Sequence, residues 1–312
     1  MRMLIAIVCL HSLLLTTAEV SAQSHQTLKP ASATQPRYSP SSSLSQAPEP
    51  EDGVVGNELY RNDYFRLQFP LLPDWQEDMS GPVPSNTGYY ALTSLRTKGA
   101  VRGTVLIDAQ DMFFAPYPIQ DASDFAQRKE HQAAAYFQDV IDNPSRPVNI
   151  AGHEFVRFDF SGAGYQRAAF STIVRCHVVT IEISSRFPEV FKQLDSNVSR
   201  ISLLSGDAAS RKNFSPICVK DYASEQTVLH KVAPTMVGPR FTRVPARFLI
   251  DRKGRVKHIH VINALPVQAK SVEDALAQWL FKPYLLNGRA VEVETGILFE
   301  FPPKDQFVGD SF

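Results

Sequence analysis

The chain has 312 residues, of which 44% are hydrophobic and 10% aromatic, and this is more than one ordinary hydrophobic core accommodates. Lysine plus arginine and aspartate plus glutamate number 32 each, so no net charge attracts nucleic acid or an anionic membrane surface. The numbers predict two domains joined by linkers, and any basic patch must be local.

The first 22 residues have the pattern of a secretory signal peptide. Arg2 precedes an apolar run from Leu4 to Leu15, and small residues follow up to Ala22. An uncleaved anchor is the competing interpretation, but a run of about 12 residues is shorter than the ~20 that a spanning helix needs. We therefore predict cleavage after Ala22 and a periplasmic or secreted protein. Only retention of this segment would associate the chain with the inner membrane, facing the periplasm.

Two cysteines, Cys176 and Cys218, remain after the signal segment. Export would place them in a space where disulfides form. A disulfide and two free thiols both remain open at this point, because the sequence does not give the distance between the two Cα atoms.

Composition divides the rest of the chain into segments. Residues 23–56 are rich in Ser, Pro, Gln, Thr and Ala, which predicts a disordered linker. Residues 57–204 carry periodic apolar patterns of a first domain, and residues 205–214 form a short polar linker. A second domain follows over residues 215–304, and residues 305–312 are a tail.

The first domain alternates predicted strands and helices. The first predicted element is a strand over 64–69 with Phe65, Leu67 and Phe69 on one face, and strands at 89–95 and 101–108 follow. A helix is predicted over 122–140 with Asp121 as its N-cap. Three β-rich runs then lie at 153–160, 168–175 and 178–184, and Pro188 opens a second helix. This order predicts an α+β domain with a mainly antiparallel sheet. Together with "YRNDYFRLQFP" leading to Trp75, the order resembles the PsbP-like fold, which does not by itself imply a function.

The second domain begins with a predicted hairpin. Apolar residues alternate along "RVPARFLI", the turn "DRKG" contains Gly254, and "RVKHIHVI" follows. Ser271 and Asp274 form a capping-box-like helix start before an apolar stripe of Val272, Ala275, Leu276, Trp279 and Leu280. The helix must end before Pro283. After "NG", the run "AVEVETGILFEF" alternates as a third strand, with Glu292, Glu294 and Glu300 on its polar face.

These motifs resemble the C-terminal domain of TonB-type proteins. The matching features are Pro234, "IDRKGRV", "WLFKP" and "NGRAVEV", and the fold-defining residues among them are Gly254, Trp279, Pro283 and Gly288. The glycines permit turn conformations, Trp279 fills the space between helix and sheet, and Pro283 starts the return strand. The resemblance implies a small βα domain without catalytic residues.

In that family an open sheet edge accepts an extended peptide from an outer-membrane receptor by strand addition. By resemblance, the edge here is the last strand, with candidate partner-binding residues Val291, Val293, Thr295, Ile297 and Phe299. An ordinary edge strand protected by its glutamates is the alternative.

Family energy transducers also have a membrane anchor and a long Pro-, Glu- and Lys-rich spacer. Neither is evident here, so the resemblance implies the domain and a protein partner, with a possible link to TonB-type transmembrane transport.

A local basic patch lies in the same region. It comprises Arg240, Arg243, Arg247, Arg252, Lys253, Arg255 and Lys257. Export removes nucleic acid as the usual partner and no aromatic stacking run accompanies the charge, so a solvated sheet face and turn is the favoured interpretation.

The sequence contains no recognisable catalytic motif. It lacks a nucleophile elbow, a phosphate-binding loop and a metalloprotease helix. His258 and His260 alternate on one predicted strand, but zinc needs three or four ligands and the sequence offers no others at a recognisable spacing. We therefore predict a binding protein without a cofactor. The alternative is a secreted hydrolase or metal enzyme that uses the His258 and His260 face or the cleft between domains.

Overall fold

A computed structural model describes residues 48–81, 83–98, 102–203, 216–235 and 242–301. The predicted signal peptide, the linker over 205–214 and the tail lie outside the described residues, as does the predicted linker up to residue 47. Residues 48–56, the end of that linker, take part in the fold. The described residues form an α+β protein and lie within one compact unit, Tyr38–Phe312.

Two sheets build the N-terminal domain. The smaller sheet has the order β1-β2-β3-β11, and the larger antiparallel sheet has the order β4-β5-β6-β10-β9-β8-β7. The strands are β1 (Val54–Gly56), β2 (Leu59–Asn62), β3 (Leu67–Pro70), β4 (Trp75–Ser80), β5 (Tyr89–Thr97), β6 (Gly103–Asp111), β7 (Val140–Ile150), β8 (His153–Gly162), β9 (Tyr165–Val174), β10 (His177–Ser185) and β11 (Ser202–Leu203).

Two helices, α1 (Ala122–Tyr136) and α2 (Pro188–Val198), cover opposite faces of the larger sheet. Successive side chains of a strand point to opposite faces. Accordingly, Ala169 packs into the core beneath α1, whereas its neighbours Ala168 and Phe170 pack into the core that contains α2 residues. The α2 residues Leu194 and Val198 provide that contact, because both are fully buried.

The predicted meander is confirmed as β8, β9 and β10, and the carboxylate of Asp121 accepts the backbone N–H of Asp124 at 2.8 Å, as predicted for an N-cap. The helix ends at Tyr136 instead of residue 140, because Gln138 adopts a positive φ of 56° and β7 begins at Val140. The sequence did not indicate β7, since it contains two prolines. They are tolerated because β7 is an edge strand.

The predicted strand over 64–69 is wrong in its first half. Residues 63–66 form the turn between β2 and β3. Asn62 stabilises this turn by accepting the N–H of Phe65 on its side-chain oxygen at 3.0 Å, and Arg66 has a positive φ of 52°. Tyr64 and Phe65 are both buried, so the apolar pattern reflects burial in a turn.

The C-terminal domain contains a four-stranded sheet in the order β12-β19-β14-β15, with the pairs β13-β16 and β17-β18 beside it. The strands are β12 (Ile217–Cys218), β13 (Val228–His230), β14 (Arg243–Ile250), β15 (Val256–Val261), β16 (Leu280–Phe281), β17 (Tyr284–Leu286), β18 (Arg289–Val291) and β19 (Val293–Glu300). The predicted hairpin is confirmed as β14–β15, and its inward side chains Val244, Ala246, Phe248 and Ile250 are all buried.

Two predictions for this domain need correction. The helix α3 (Pro266–Leu276) begins five residues before Ser271, with Pro266 in the first turn where a missing N–H is harmless. The hydroxyl of Ser271 instead donates to the carbonyl of Thr235. The predicted third strand is divided at Glu292 into β18 and β19. Trp279 fills the core between α3 and the sheet, as predicted, and Phe281 packs into the same core.

The two turn glycines differ in their surroundings, which gives a prediction. Gly254 and Gly288 both have positive φ, 81° and 76°. A Cβ at Gly254 would collide with the carbonyl oxygen of Phe281, whereas a Cβ at Gly288 would meet nothing within 4 Å. We expect Gly254→Ala to lower the free energy of unfolding by about 2 to 3 kcal/mol and Gly288→Ala by about 1 kcal/mol. Urea unfolding of both variants checks this, and equal losses would contradict it.

Candidate protein-binding edge and the junction beneath it

In the part of the chain that the structure describes, strand pairing on the outer side of β19 is confined to its start. β12 pairs with β19 in parallel at Val293 and Glu294. The N–H of Ile217 donates to the carbonyl of Glu292 at 2.9 Å, and the N–H of Val219 donates to Glu294 at 3.0 Å. From Thr295 onward, β14 is the only strand paired with β19 among the residues that the structure describes.

The register identifies which backbone groups face the open side. The N–H and C=O of one strand residue point to the same side. Glu292 and Glu294 point toward β12, so the even-numbered residues Gly296, Leu298 and Glu300 also point away from β14. Leu298 lies opposite Pro245, which has no N–H and whose carbonyl accepts Ile262 on the other side. This pairing independently supports the assignment.

The five side chains predicted to contact a partner are buried in the domain and do not form the open edge of β19. Val293 and Phe299 are core residues, with Ile297 packed against the same core, and Val291 and Thr295 are buried as well. Val291 belongs to β18 and not to β19. The sequence therefore located the strand, but the backbone groups that can accept another strand belong to the intervening residues.

The polar face of β14 and β19 rests on the N-terminal domain through Arg247. This residue is only 2% exposed. Its guanidinium donates to Asp111 at the end of β6 at 2.6 Å and lies 2.9 Å from the carboxylate of Glu294. Arg247 also lies over the ring of Phe113, 4.7 Å from its centroid. One cation thus bridges carboxylates from both domains.

The electrostatics of this cluster favour the charged forms of Arg247 and Glu294. Burial acts to lower the pKa of Arg247, but Asp111, Tyr64 and Glu294 outweigh it and raise its pKa well above the ordinary value. Burial acts to raise the pKa of Glu294, but Arg247 and Arg175 outweigh it and hold this pKa below the ordinary value. The hydroxyl of Tyr64 also donates to Glu294 at 3.1 Å.

A disulfide between Cys176 and Cys218 closes the same junction. Their Cα atoms are 5.7 Å apart, within the usual range for this bond. Cys176 lies in the turn between β9 and β10, and Cys218 belongs to β12. The bond therefore attaches the strand that covers the start of β19 directly to the N-terminal domain. Of the two states that the sequence left open, the structure contains the disulfide.

Close packing continues the junction along β19. The rings of Phe113 and Phe114 lie so near Gly296 that a Cβ there would stand 2.6 Å from Phe114 Cζ. Glycine at position 296 therefore permits the contact between β19 and the loop after β6. The sheet face on which the side chain of Glu294 and the Cα of Gly296 lie consequently packs against the N-terminal domain. This face is distinct from the hydrogen-bonding edge of β19.

Only part of the predicted basic patch is found at the surface of the described residues. Arg247 is buried in the junction and does not belong to the surface, and Arg240 lies outside the described residues. The remaining members Arg243, Arg252, Lys253, Arg255 and Lys257 are exposed. Arg243 is 3.8 Å from Glu300, and Lys257 is 3.6 Å from Asp251. The turn between β14 and β15 thus carries most of the free positive charge.

His258 and His260 do not form the simple alternating pair that the sequence suggested. The β14–β15 register shifts between Arg247 and Leu249, and His258 has a positive φ of 48°. This bulge leaves His258 exposed and His260 buried. The Nε2 atom of His260 lies 2.9 Å from Glu51 Oε1 and 3.8 Å from Glu49 Oε2. Both glutamates come from the segment before β1, where the sequence predicted a disordered linker.

A cavity of about 200 Å³ lies at this junction. Its lining includes both histidines, Glu49, Arg175 and Arg247. The sequence suggested a cleft between domains and the two histidines, but not the other lining residues, because the cavity walls come from segments that are distant along the chain. Among the described residues, no helix has the length and apolar character needed to cross a membrane.

Comparisons with known proteins found similarity to parts of this chain. Residues 241–302 match the family described as Gram-negative bacterial TonB protein C-terminal. The solution structure of the Pseudomonas aeruginosa TonB C-terminal domain is similar at 26% identity, covering 25% of this chain and 85% of that chain, with a TM-score of 0.22. Cyanobacterial PsbP (CyanoP) from Synechocystis sp. PCC 6803 is similar at 16% identity, covering 49% and 98%, with a TM-score of 0.36. No curated protein matches the chain.

The C-terminal domain is therefore TonB-like, and the larger N-terminal domain has a PsbP-like neighbour. The TonB resemblance seen in the sequence is confirmed by the family match over residues 241–302. The TonB-family domain implies a location in the cell envelope.

Proposed function

We propose that this chain is an exported cell-envelope binding protein whose TonB-like domain captures an extended segment of a protein partner by strand addition along β19. The open backbone of Gly296, Leu298 and Glu300 carries the proposal. A β-strand rises about 3.3 Å per residue, so the segment from Gly296 to Glu300 offers a partner roughly 15 Å of edge. Main-chain hydrogen bonds along such an edge supply affinity without a deep pocket.

The partner class follows from the same geometry and from the TonB-like domain. An unstructured peptide can meet the edge in an extended conformation, and the periplasmic segment of an outer-membrane receptor is the partner that the family implies. A role in TonB-type transmembrane transport would follow from such a partner. No catalytic step and no cofactor belong to this function.

The N-terminal domain acts as a rigid base in this proposal. Arg247 and the Cys176–Cys218 disulfide fix the first half of β19, and β12 limits where an added strand can begin. Because the edge is held in place before binding, a partner pays less of the ordering cost that a flexible site would impose.

Proline at position 298 tests the proposal. Leu298→Pro removes an N–H that points away from β14, so it should abolish strand addition while leaving the β14 ladder intact. We expect affinity for synthetic peptides from receptor N-termini to fall at least about tenfold, a loss of roughly 1.4 kcal/mol. Peptide titration followed by fluorescence anisotropy measures it.

Leu298→Ala is the matched control, since it shortens the same side chain and keeps the N–H. It should retain most of the affinity. Equal binding by the proline and alanine variants would contradict strand addition at this edge, and circular dichroism of both variants verifies that the fold is preserved.

A further inference from the structure

The segment before β1 brings two carboxylates to one imidazole. Glu49, Glu51 and His260 each present a ligand atom, and these atoms all lie within 4.8 Å of one another. The same nitrogen of His260, Nε2, faces both carboxylates. All three side chains are largely buried, with exposed fractions of 12%, 21% and 9% in the same order.

The ion pair with His260 does not satisfy both oxygens of Glu51, and a buried carboxylate oxygen without a partner is costly. Glu51 Oε2 is buried and has no hydrogen-bond partner among the described residues. His260 is itself nine-tenths buried, which fixes its ring in one place.

A second buried group points to the same location. The ring of Tyr90 is stacked against His260, with centroids 6.4 Å apart, and Tyr90 is only 1% exposed. Its hydroxyl has no hydrogen-bond partner within the described part of the chain. A buried tyrosine with an unpartnered hydroxyl therefore packs directly against the imidazole of the cluster.

We propose that Glu49, Glu51 and His260 form a binding site for a divalent metal ion of the Zn²⁺ type. Zn²⁺ binds imidazole nitrogens and carboxylate oxygens, and its open sites have three protein ligands with water in the fourth position. Imidazole disfavours Ca²⁺ and Mg²⁺, which prefer oxygen ligands. The exposed His258 lines the same cavity as Glu49 and His260.

Metal binding here would join two parts of the molecule. Glu49 and Glu51 precede β1 of the N-terminal domain, whereas His260 lies on β15 of the TonB-like domain. A bound ion would therefore attach the preceding segment of the chain to β15, the edge of the sheet opposite the β12 and β19 side. The site does not involve the open backbone of β19, so it stands or falls independently of the proposed partner binding.

Calorimetric titration of Zn²⁺ into the full chain tests the site, with protein that has been treated with a chelator and carries no polyhistidine tag. We expect one high-affinity ion per chain. The Glu49→Gln and Glu51→Gln double variant keeps the side-chain shapes and should weaken binding at least about 100-fold, since even partners outside the ligand shell affect metal affinity by 10- to 100-fold. His230→Ala, which removes an exposed histidine on β13, should bind like the unmodified chain.

Three results would overturn the proposal: no Zn²⁺ binding by the unmodified chain, equal binding by the double variant, or a similar loss in His230→Ala. If the double variant fails to fold, the Zn²⁺ titration and the Co²⁺ experiment on the unmodified chain still test the proposal. Substoichiometric Co²⁺ should broaden the NMR signals of Tyr90 and Val261 first, and broadening centred on other residues would also overturn the assignment.

Discussion

Replacing Arg247 with methionine is expected to lower the free energy of unfolding by about 3 to 5 kcal/mol. The substitution keeps an unbranched side chain of similar length but removes the cation between Asp111 and Glu294. Asp111 is 0% exposed and Glu294 is 7% exposed, so two buried carboxylates would lose the cation that lies between them. Denaturant unfolding at neutral pH, monitored by circular dichroism, measures the loss.

Arg243→Met is the matched control on the same strand. Arg243 pairs with Glu300 at the surface, where the two side chains are 58% and 75% exposed, and pairs of this kind contribute no more than about 1 kcal/mol. A triple variant that combines Arg247→Met with Asp111→Asn and Glu294→Gln should recover part of the loss, because the unpaired charges are gone. Similar effects of Arg247→Met and Arg243→Met would contradict the buried junction.

Removing the disulfide is the second large expected effect. The bond closes a loop with a sequence separation of 42 residues, and the chain-entropy relation gives a stabilisation of about 4 kcal/mol for a loop of that length. The double replacement Cys176→Ala and Cys218→Ala should therefore lower the free energy of unfolding by about 3 to 4 kcal/mol. The start of β19 should also lose protection, because β12 is no longer tied to the N-terminal domain.

A reductant provides the control for this prediction. Dithiothreitol should destabilise the unmodified chain by nearly as much as the double replacement does, and it should leave the double variant unchanged. If the reductant weakens both proteins equally, or neither, the disulfide does not stabilise the junction in solution.

Alternation along a strand predicted well which side chains are buried in a domain's own core. The β14 residues Val244, Ala246, Phe248 and Ile250 are buried as predicted. The same rule assigned Arg247 to the solvent face, and there it failed. That face is covered by the N-terminal domain, and a contact between domains leaves no periodic signal in either sequence segment.

The candidate edge shows a related limit. Periodicity identified the strand that carries it, but side-chain patterns report burial and not the direction of backbone N–H groups. The direction became clear only from the pairing of Glu292 with Ile217, which lies 75 positions earlier in the numbering of the sequence. Local irregularities were equally invisible, since the bulge at His258 separates two histidines that ideal alternation would place together.

The cluster of Glu49, Glu51 and His260 was missed for a compositional reason. The residues before Val54 look like the end of a Ser- and Pro-rich linker, and nothing there indicates a long-range partner. The hydrogen bond between Glu51 and His260 spans 209 positions, a separation for which sequence spacing rules give no guidance.

Amide hydrogen exchange by NMR, with and without a receptor-derived peptide, tests strand addition most directly. The account predicts that the peptide slows exchange at Gly296, Leu298 and Glu300, because their N–H groups gain a hydrogen-bond partner, while Ile297 and Phe299 are already protected by β14 and change little. Slowed exchange confined to β15, or no change along β19 at a saturating peptide concentration, would contradict it.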